Sequence, residues 1–388
     1  VSLRIGTFNV WGLPETFGFG DDVSSRMRII ADRVSRLDLD VLLIQEAWTD
    51  EVRETLEGGA LAAGFEVAAG PRGSGGLMTL SRRPIRSARF DRFHFRGDPE
   101  RLAQGEFLGG KGFQTLTIDG DTDPLSLINT HLHARYRRAR PRLNSAVRTA
   151  QILQIIGRLS ELEGTVVLGG DFNCTLNDPE YEILRSLSGI VELGGGGRHP
   201  TLSRTNYYKR NRRGQDKRID FLFVRCGTGM SFRVADARLF FAEPARIREI
   251  DRSLSDHFGF RADLWLESSA AKPVASQWLP PDPRVFDLAR HLLEIGRVEA
   301  DRRERAHFES SAAWVVAGAL ACGLRRLPTM GRRRFLRGVA GAAAWGALVP
   351  AIGFGALARL DSDEKRDAFD EGREILAQLA ARPDRGSA

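Results

Sequence analysis

Apolar and polar positions alternate over residues 3–10 and stop at Gly12 and Pro14, which predicts a strand with a break after it. Over residues 24–37 the spacing changes: Met27, Ile30, Val34 and Leu37 recur at helical intervals, with arginines on the opposite face. Residues 40–46 read as a buried strand that ends in Gln45-Glu46, before a loop and another amphipathic helix. Further strands are predicted over 75–80, 113–118 and 125–131, a helix over 144–159, and a β-branched strand over 166–170. Residues 218–224 and 258–266 supply the last strands. Some strands follow one another in hairpin-like runs and others alternate with helices. That mixture predicts mixed sheets covered by helices, not one purely parallel sheet.

Near Glu267 the pattern changes. Ser268-Ser269-Ala270-Ala271-Lys272-Pro273 and Leu279-Pro280-Pro281-Asp282-Pro283 are linker chemistry. The chain therefore divides into a unit over 1–266, a linker over 267–284 and a helical appendage over 285–388. In the appendage, 285–309 is an amphipathic helix, 312–324 is short and apolar, and 325–337 is basic. An apolar run of small residues over 335–357 approaches the roughly 20 residues that span a bilayer. A charged helix over 361–381 follows. This layout predicts association with a membrane. The basic stretch between the two apolar runs would oppose the positive-inside tendency if both crossed, so a shallow first segment or a hairpin in one leaflet fits better.

The 388 residues hold one large domain and an appendage, and 42% hydrophobic content supports a true core. A net charge of +7 favours an anionic partner but does not choose between nucleic acid, a phosphorylated substrate and a membrane surface. Cys174, Cys226 and Cys322 are scattered and odd in number, which argues for a reducing compartment over a disulfide framework. No charged start with an apolar core is seen at the first residues, so no signal peptide is predicted.

The chemistry lies at predicted strand ends. Asp171 and Asn173 follow the glycine pair at 169–170, and the extended period of two sends both polar groups to one side with Phe172 on the other. Asn9, Glu46, His131, Asp220, Asp256 and His257 fall at other strand ends or loops. Each alone is ordinary turn, cap or ion-pair chemistry. Together they are the inventory of a metal-assisted phosphodiesterase: oxygen ligands for a hard cation, an amide for a phosphoryl oxygen, and imidazoles for protons. Two basic runs, Arg135 to Arg142 and Lys209 to Arg218, with Tyr207 and Tyr208, would suit phosphates of a membrane or of nucleic acid.

Thr7-Phe8-Asn9, Gln45-Glu46, Asn129-Thr130-His131-Leu132-His133, Gly170-Asp171-Phe172-Asn173, Arg218-Ile219-Asp220 and Ser255-Asp256-His257 occur in the order of the endonuclease/exonuclease/phosphatase superfamily. Asn9-Val10-Trp11-Gly12, Ser74-Gly75-Gly76-Leu77 and Ser81-Arg82-Arg83-Pro84-Ile85 resemble the membrane-anchored neutral sphingomyelinases. The resemblance implies a four-layer α/β sandwich, two packed mixed sheets flanked by helices, with a Mg²⁺ site in the cleft at their top; Mn²⁺ is a second candidate. It further implies Glu46 as principal metal ligand with Asn9 and Asp256 beside it. Asp171 and Asn173 would orient water and a phosphoryl oxygen, Asp220 would hold His257, and His131 would serve the developing charge. The general base is left open between Asp171 and His257. Lys111, five positions after Glu106, is similar to an acidic-to-lysine element of that subfamily and is expected near the substrate. His133 is expected to play a supporting or core role. The activity implied is phospholipase C-type cleavage of sphingomyelin or a related phospholipid, by a catalytic domain on the cytoplasmic side of a membrane. A DNase-like endonuclease is the alternative. Against it, abasic-site endonucleases carry a tyrosine where this chain has His131.

Overall fold

In the computed structural model the backbone is described for residues 2–15, 20–71, 75–94, 110–121, 123–135, 141–195, 198–211, 214–268, 282–326 and 334–381. Glu106, Arg137, Arg138, Arg140, Arg212, Arg213 and most of the expected linker lie outside them.

Two six-stranded mixed sheets carry the fold. The first joins β1 (Ser2–Asn9), β2 (Val41–Gln45), β3 (Glu66–Ala69), β4 (Met78–Ser81), β11 (Met230–Phe240) and β14 (Gly259–Ser268), in the spatial order β11-β14-β1-β2-β4-β3. The second joins β5 (Ile85–Arg92), β6 (Gly112–Ile118), β7 (Leu125–His131), β8 (Val166–Asp171), β9 (Val191–Glu192) and β10 (Asp220–Arg225), in the order β5-β6-β7-β8-β10-β9. A small hairpin, β12 (Ala245–Ile247) and β13 (Ile250–Arg252), precedes the last strand. The inner faces of the sheets meet through Leu3, Ile5, Leu43, Leu127, Val167, Leu222 and Phe260, all buried. Helices α1 (Val23–Val34) and α2 (Asp50–Ala62) cover the outer face of the first sheet through Met27, Ile30 and Leu56. Helices α3 (Pro141–Glu161) and α4 (Pro179–Ser188) cover the second. The expected four-layer sandwich is the observed one.

The appendage differs from its sequence pattern. In place of four segments there are two long helices, α5 (Pro283–Arg326) and α6 (Arg334–Ala380), of 44 and 47 residues, about 66 and 70 Å long at 1.5 Å per residue. The expected break near residue 310 is absent: the helix runs through it, with Ser310 Oγ donating back to Ala306 O and Ser311 Oγ donating across to Ala351 O of α6. Pro350 is held inside α6. The base of this hairpin belongs to the body of the protein. Val285, Ala289, Leu292, Leu293, Phe369 and Leu376 share one buried core with α3, α4 and the second sheet.

Candidate functional site

The topology brings the polar candidates to one end of both sheets. β1 ends at Asn9, β2 ends one residue before Glu46, and β7 and β8 run parallel with His131 opposite Asp171. β10 is antiparallel to β8 and pairs Asp220 with Asp171, so its first residue arrives at the same end. Asp256 and His257 precede β14, whose Phe260 pairs with Thr7 of β1.

Two glycines make the close approaches. Gly170, at φ 147°, lies against Thr130, where any side chain would strike the Thr130 carbonyl. Gly76, at φ 66°, packs on the Glu46 backbone and accepts the Ala47 N–H at 2.9 Å. Glu46 and Asn173 themselves adopt positive φ of 62° and 49°, uncommon for residues with a side chain.

Asn9 Nδ2 donates to Glu46 Oε1 at 2.9 Å and to Asp171 Oδ2 at 3.1 Å, so one amide ties a carboxylate of each sheet. Below it Gln45 Nε2 donates to Asn129 Oδ1 at 2.8 Å, a second buried polar bridge between the sheets. Asp171 Oδ1 accepts the Asn173 N–H at 2.9 Å. His257 Nδ1 is 2.8 Å from Asp220 Oδ2, and its Nε2 is 4.0 Å from Asp171 Oδ2. His131 Nε2 lies 3.5 Å from Asp171 and 3.8 Å from Glu46. Lys111 Nζ reaches that same nitrogen at 2.9 Å, and also Leu132 O at 2.9 Å. An ammonium is only a donor, so His131 Nε2 accepts from it. Asn173 Nδ2 donates to Leu132 O at 3.0 Å as well. His133 is buried; its N–H donates to Gln151 Oε1 at 2.9 Å, which fits the supporting role expected of it.

The electrostatics are those of concentrated negative charge. Burial and then Asp256 raise the Glu46 pKa, and burial with Asp220 pushes Asp171 up to about 7. Burial opposes a charge on His257, but Asp220, Asp256 and Asp171 outweigh it and raise the imidazole to about 10. Asp256 would also rise on burial, yet Lys209 and His257 hold it below the usual carboxylate range. Lys209 Nζ is 2.7 Å from Asp256 Oδ2. That pairing was invisible in the basic run around it.

A second residue missed in the sequence is Arg26 on α1. Its guanidinium is fully buried and donates to Asp21 O, Val10 O, Leu254 O and Trp11 O at 2.7–2.9 Å. It thereby joins the loop after Asn9 to the loop that carries Asp256 and His257. Sequence reading had placed it among exposed arginines.

The donor set fits a hard divalent cation. Ligand atoms of Glu46, His131 and Asp171 lie within 4.8 Å of one another, as do those of Asp171, Asp220 and His257. Buried Asp220 Oδ1 has no hydrogen-bond partner among the described residues.

A model of the endonuclease/exonuclease/phosphatase family matches residues 6–257. The chain is 30% identical over 293 residues to the putative neutral sphingomyelinase of Drosophila melanogaster, a match covering 71% of this chain and 64% of the fly protein. It is 25% identical over 304 residues to the inositol phosphosphingolipids phospholipase C of Schizosaccharomyces pombe, covering 68% of each. The chain thus spans just under two thirds of the fly relative's length. Among solved structures, sphingomyelinase C from Streptomyces griseocarneus superposes with a TM-score of 0.55 at 20% identity over 68% of this chain and 99% of that one. D. rerio TDP2 with a single-strand DNA product gives 0.56 at 18% over 68% and 99%. A Staphylococcus aureus beta toxin variant with bound magnesium ions gives 0.52 at 17% over the same shares. At these identities the structures speak for the fold alone.

Proposed function

The chain belongs to the endonuclease/exonuclease/phosphatase family, and from that membership we propose that it is a Mg²⁺-dependent phosphodiesterase of the phospholipase C type, cleaving sphingomyelin or a related phosphosphingolipid at a membrane. The observation that carries this reading is the meeting of Asn9, Glu46, His131, Asp171, Asp220, Asp256 and His257 at one end of two packed sheets. The names of the relatives supply the substrate class.

Held by Glu46, Asn9 and Asp256, Mg²⁺ would stabilise charge developing on the phosphoryl oxygens. Asp220 fixes His257 through Nδ1 and turns Nε2 toward Asp171. These two groups, 4.0 Å apart, are the two candidates for general base, His257 serving only from its neutral form. Lys111 donates to His131 Nε2 and holds that imidazole beside Glu46 and Asp171, and its ammonium brings positive charge to the developing charge on the leaving oxygen. Asn173 orients the phosphate through the amide proton not given to Leu132. The hairpin of α5 and α6 supplies membrane contact. Residues Gly338–Ala356 have a mean hydropathy of 1.6, and 11% of that stretch is buried. In this reading the catalytic domain lies on the cytoplasmic side.

A second reading, cleavage of DNA, draws on the basic charge of the chain. Purified full-length protein assayed side by side with Mg²⁺ or chelator separates the two. Release of phosphorylated head group from phosphosphingolipid supports the proposal. Nicking of plasmid DNA at a higher rate than lipid hydrolysis would replace it.

A further inference from the structure

The long hairpin is docked in a way that fixes its direction. Gly296 of α5 packs between Phe369 of α6 and Ala146 of α3, Gly372 packs on Leu293 and Leu153, and Gly157 packs on Ile375. Along α3, residues 146, 153 and 157 thus meet residues 369, 372 and 375 of α6 in rising order. On α5 the order falls, from 296 to 293. Helix α3 connects the parallel strands β7 and β8, so it starts at the end where His131 and Asp171 lie and runs away from it. Continuing α6 toward lower numbers, and α5 toward higher ones, therefore leads past the catalytic end of the molecule.

The two helices keep one antiparallel register throughout. Arg297 faces Asp370 and Arg366 bonds Asp301 and Glu304, while Ser311 bonds Ala351 and Gly318 packs on Ala347. By that register the apolar span 338–356 stands beside residues 309–326. Both stretches turn large apolar side chains outward, including Trp314, Val316 and Leu320 on α5 and Trp345, Val349 and Ile352 on α6. Below them Arg297 pairs with Asp370, Arg366 with Asp301 and Glu304, and Arg373 with Glu294. A span of 19 residues is about 28 Å long, against roughly 30 Å for a bilayer's hydrocarbon core. Phe369, level with Ala146, is 13 residues from Ala356, so the apolar part begins about 20 Å beyond that level.

We propose that the α5–α6 hairpin is a rigid ruler that embeds in a lipid bilayer and holds the catalytic cleft facing the near leaflet, with the level of Ala146 about 20 Å from the hydrocarbon core. The inference rests on the lipid-cleaving reading above for its substrate, but the orientation it states is independent of turnover. The base shares the catalytic core, so the body cannot swing freely about the linker. The cleft, with Lys209 and Arg210 beside it, meets the phosphodiesters of the membrane that anchors it. The enzyme is thereby restricted to lipids of its own membrane.

Two measurements on the full chain in phosphatidylcholine vesicles test this. A donor dye at Thr205→Cys, beside the cleft, and one at Glu163→Cys, at the opposite end of α3, are each read against acceptor lipids, in a background with Cys226 and Cys322 replaced by serine. Efficient transfer from position 205 and weak transfer from 163 is expected; equal or reversed transfer overturns the proposal whatever the activity. The second measurement adds seven residues to each helix between the charged pairs and the apolar span, lifting the body by about 10 Å. Hydrolysis of phosphosphingolipid in the same vesicle should fall at least tenfold, while hydrolysis of detergent-dispersed substrate stays within twofold. Unchanged vesicle hydrolysis overturns the ruler. Absence of turnover by the unaltered protein on dispersed substrate instead defeats the functional reading and leaves the dye test to decide the orientation.

Discussion

Asp220 Oδ2 sits 2.8 Å from His257 Nδ1, with both side chains buried, so the imidazole presents only Nε2 to the cleft. Asp220→Asn would keep the shape and lose the charge that supports the imidazolium. The expected outcome is a fall in kcat of about 10²- to 10⁴-fold with KM little changed, and a similar loss for His257→Ala. Steady-state kinetics on dispersed phosphosphingolipid check both.

Glu46 is a metal ligand in the proposed mechanism, and Lys209 neutralises Asp256 beside it. Glu46→Gln should abolish the shift in Tm produced by Mg²⁺, as measured by scanning fluorimetry without substrate. Lys209→Met removes a competing positive charge and should tighten Mg²⁺ binding by about tenfold, the effect of one nearby like charge. Weaker Mg²⁺ binding by the Lys209 variant would show that the lysine supports the cation site.

Arg26 serves four backbone carbonyls from a fully buried position. Arg26→Met strands those acceptors, at a cost of about 3 kcal/mol or more in denaturant unfolding. Arg26→Lys cannot reproduce the fork and should recover only part of it. A variant as stable as the parent would refute the keystone role.

The hairpin base also carries a pH-dependent contact. His94 Nδ1 pairs with Glu371 at 3.0 Å, and the hydrogen bond to Glu371, aided by Asp367, raises the imidazole pKa above its ordinary value. A raised folded pKa gives stability that is full below the unfolded value of about 6.5 and is lost as pH climbs through the folded value. The pair is half exposed, so the effect is small. The Tm of the parent should fall between pH 6 and pH 9 by more than that of His94→Gln. Parallel curves would dismiss the contact.

The catalytic half was legible because its chemistry sits in short motifs at strand ends, where one local pattern fixes both the strand and the polar group that leaves it. Glycines 169 and 170 announced a close backbone approach, and Gly170 lies against Thr130. Strands β5 and β11 were not legible. Both are edge strands that expose successive residues, Arg86 to Arg89 in β5 and Arg233 to Ala235 in β11, so neither shows an apolar alternation. The Lys209–Asp256 and Arg26–Leu254 contacts join residues 47 and 228 positions apart, and neither leaves a periodic trace. In the appendage, composition marked the apolar stretch at Gly338–Ala356. It gave no sign that Phe369 and Leu293 would complete the core under α3.

That shared core has a practical consequence for trimming the protein. Ending the chain at residue 268, where the first sheet's last strand stops, would strip α5 and α6 from α3 and bare Ala146, Leu153 and Ile156 to water. Such a fragment would aggregate, and its inactivity would say nothing about the cleft. A water-soluble form has to keep both feet of the hairpin, residues 283–307 and 358–380, and bridge them with a short polar turn in place of the apolar reach between.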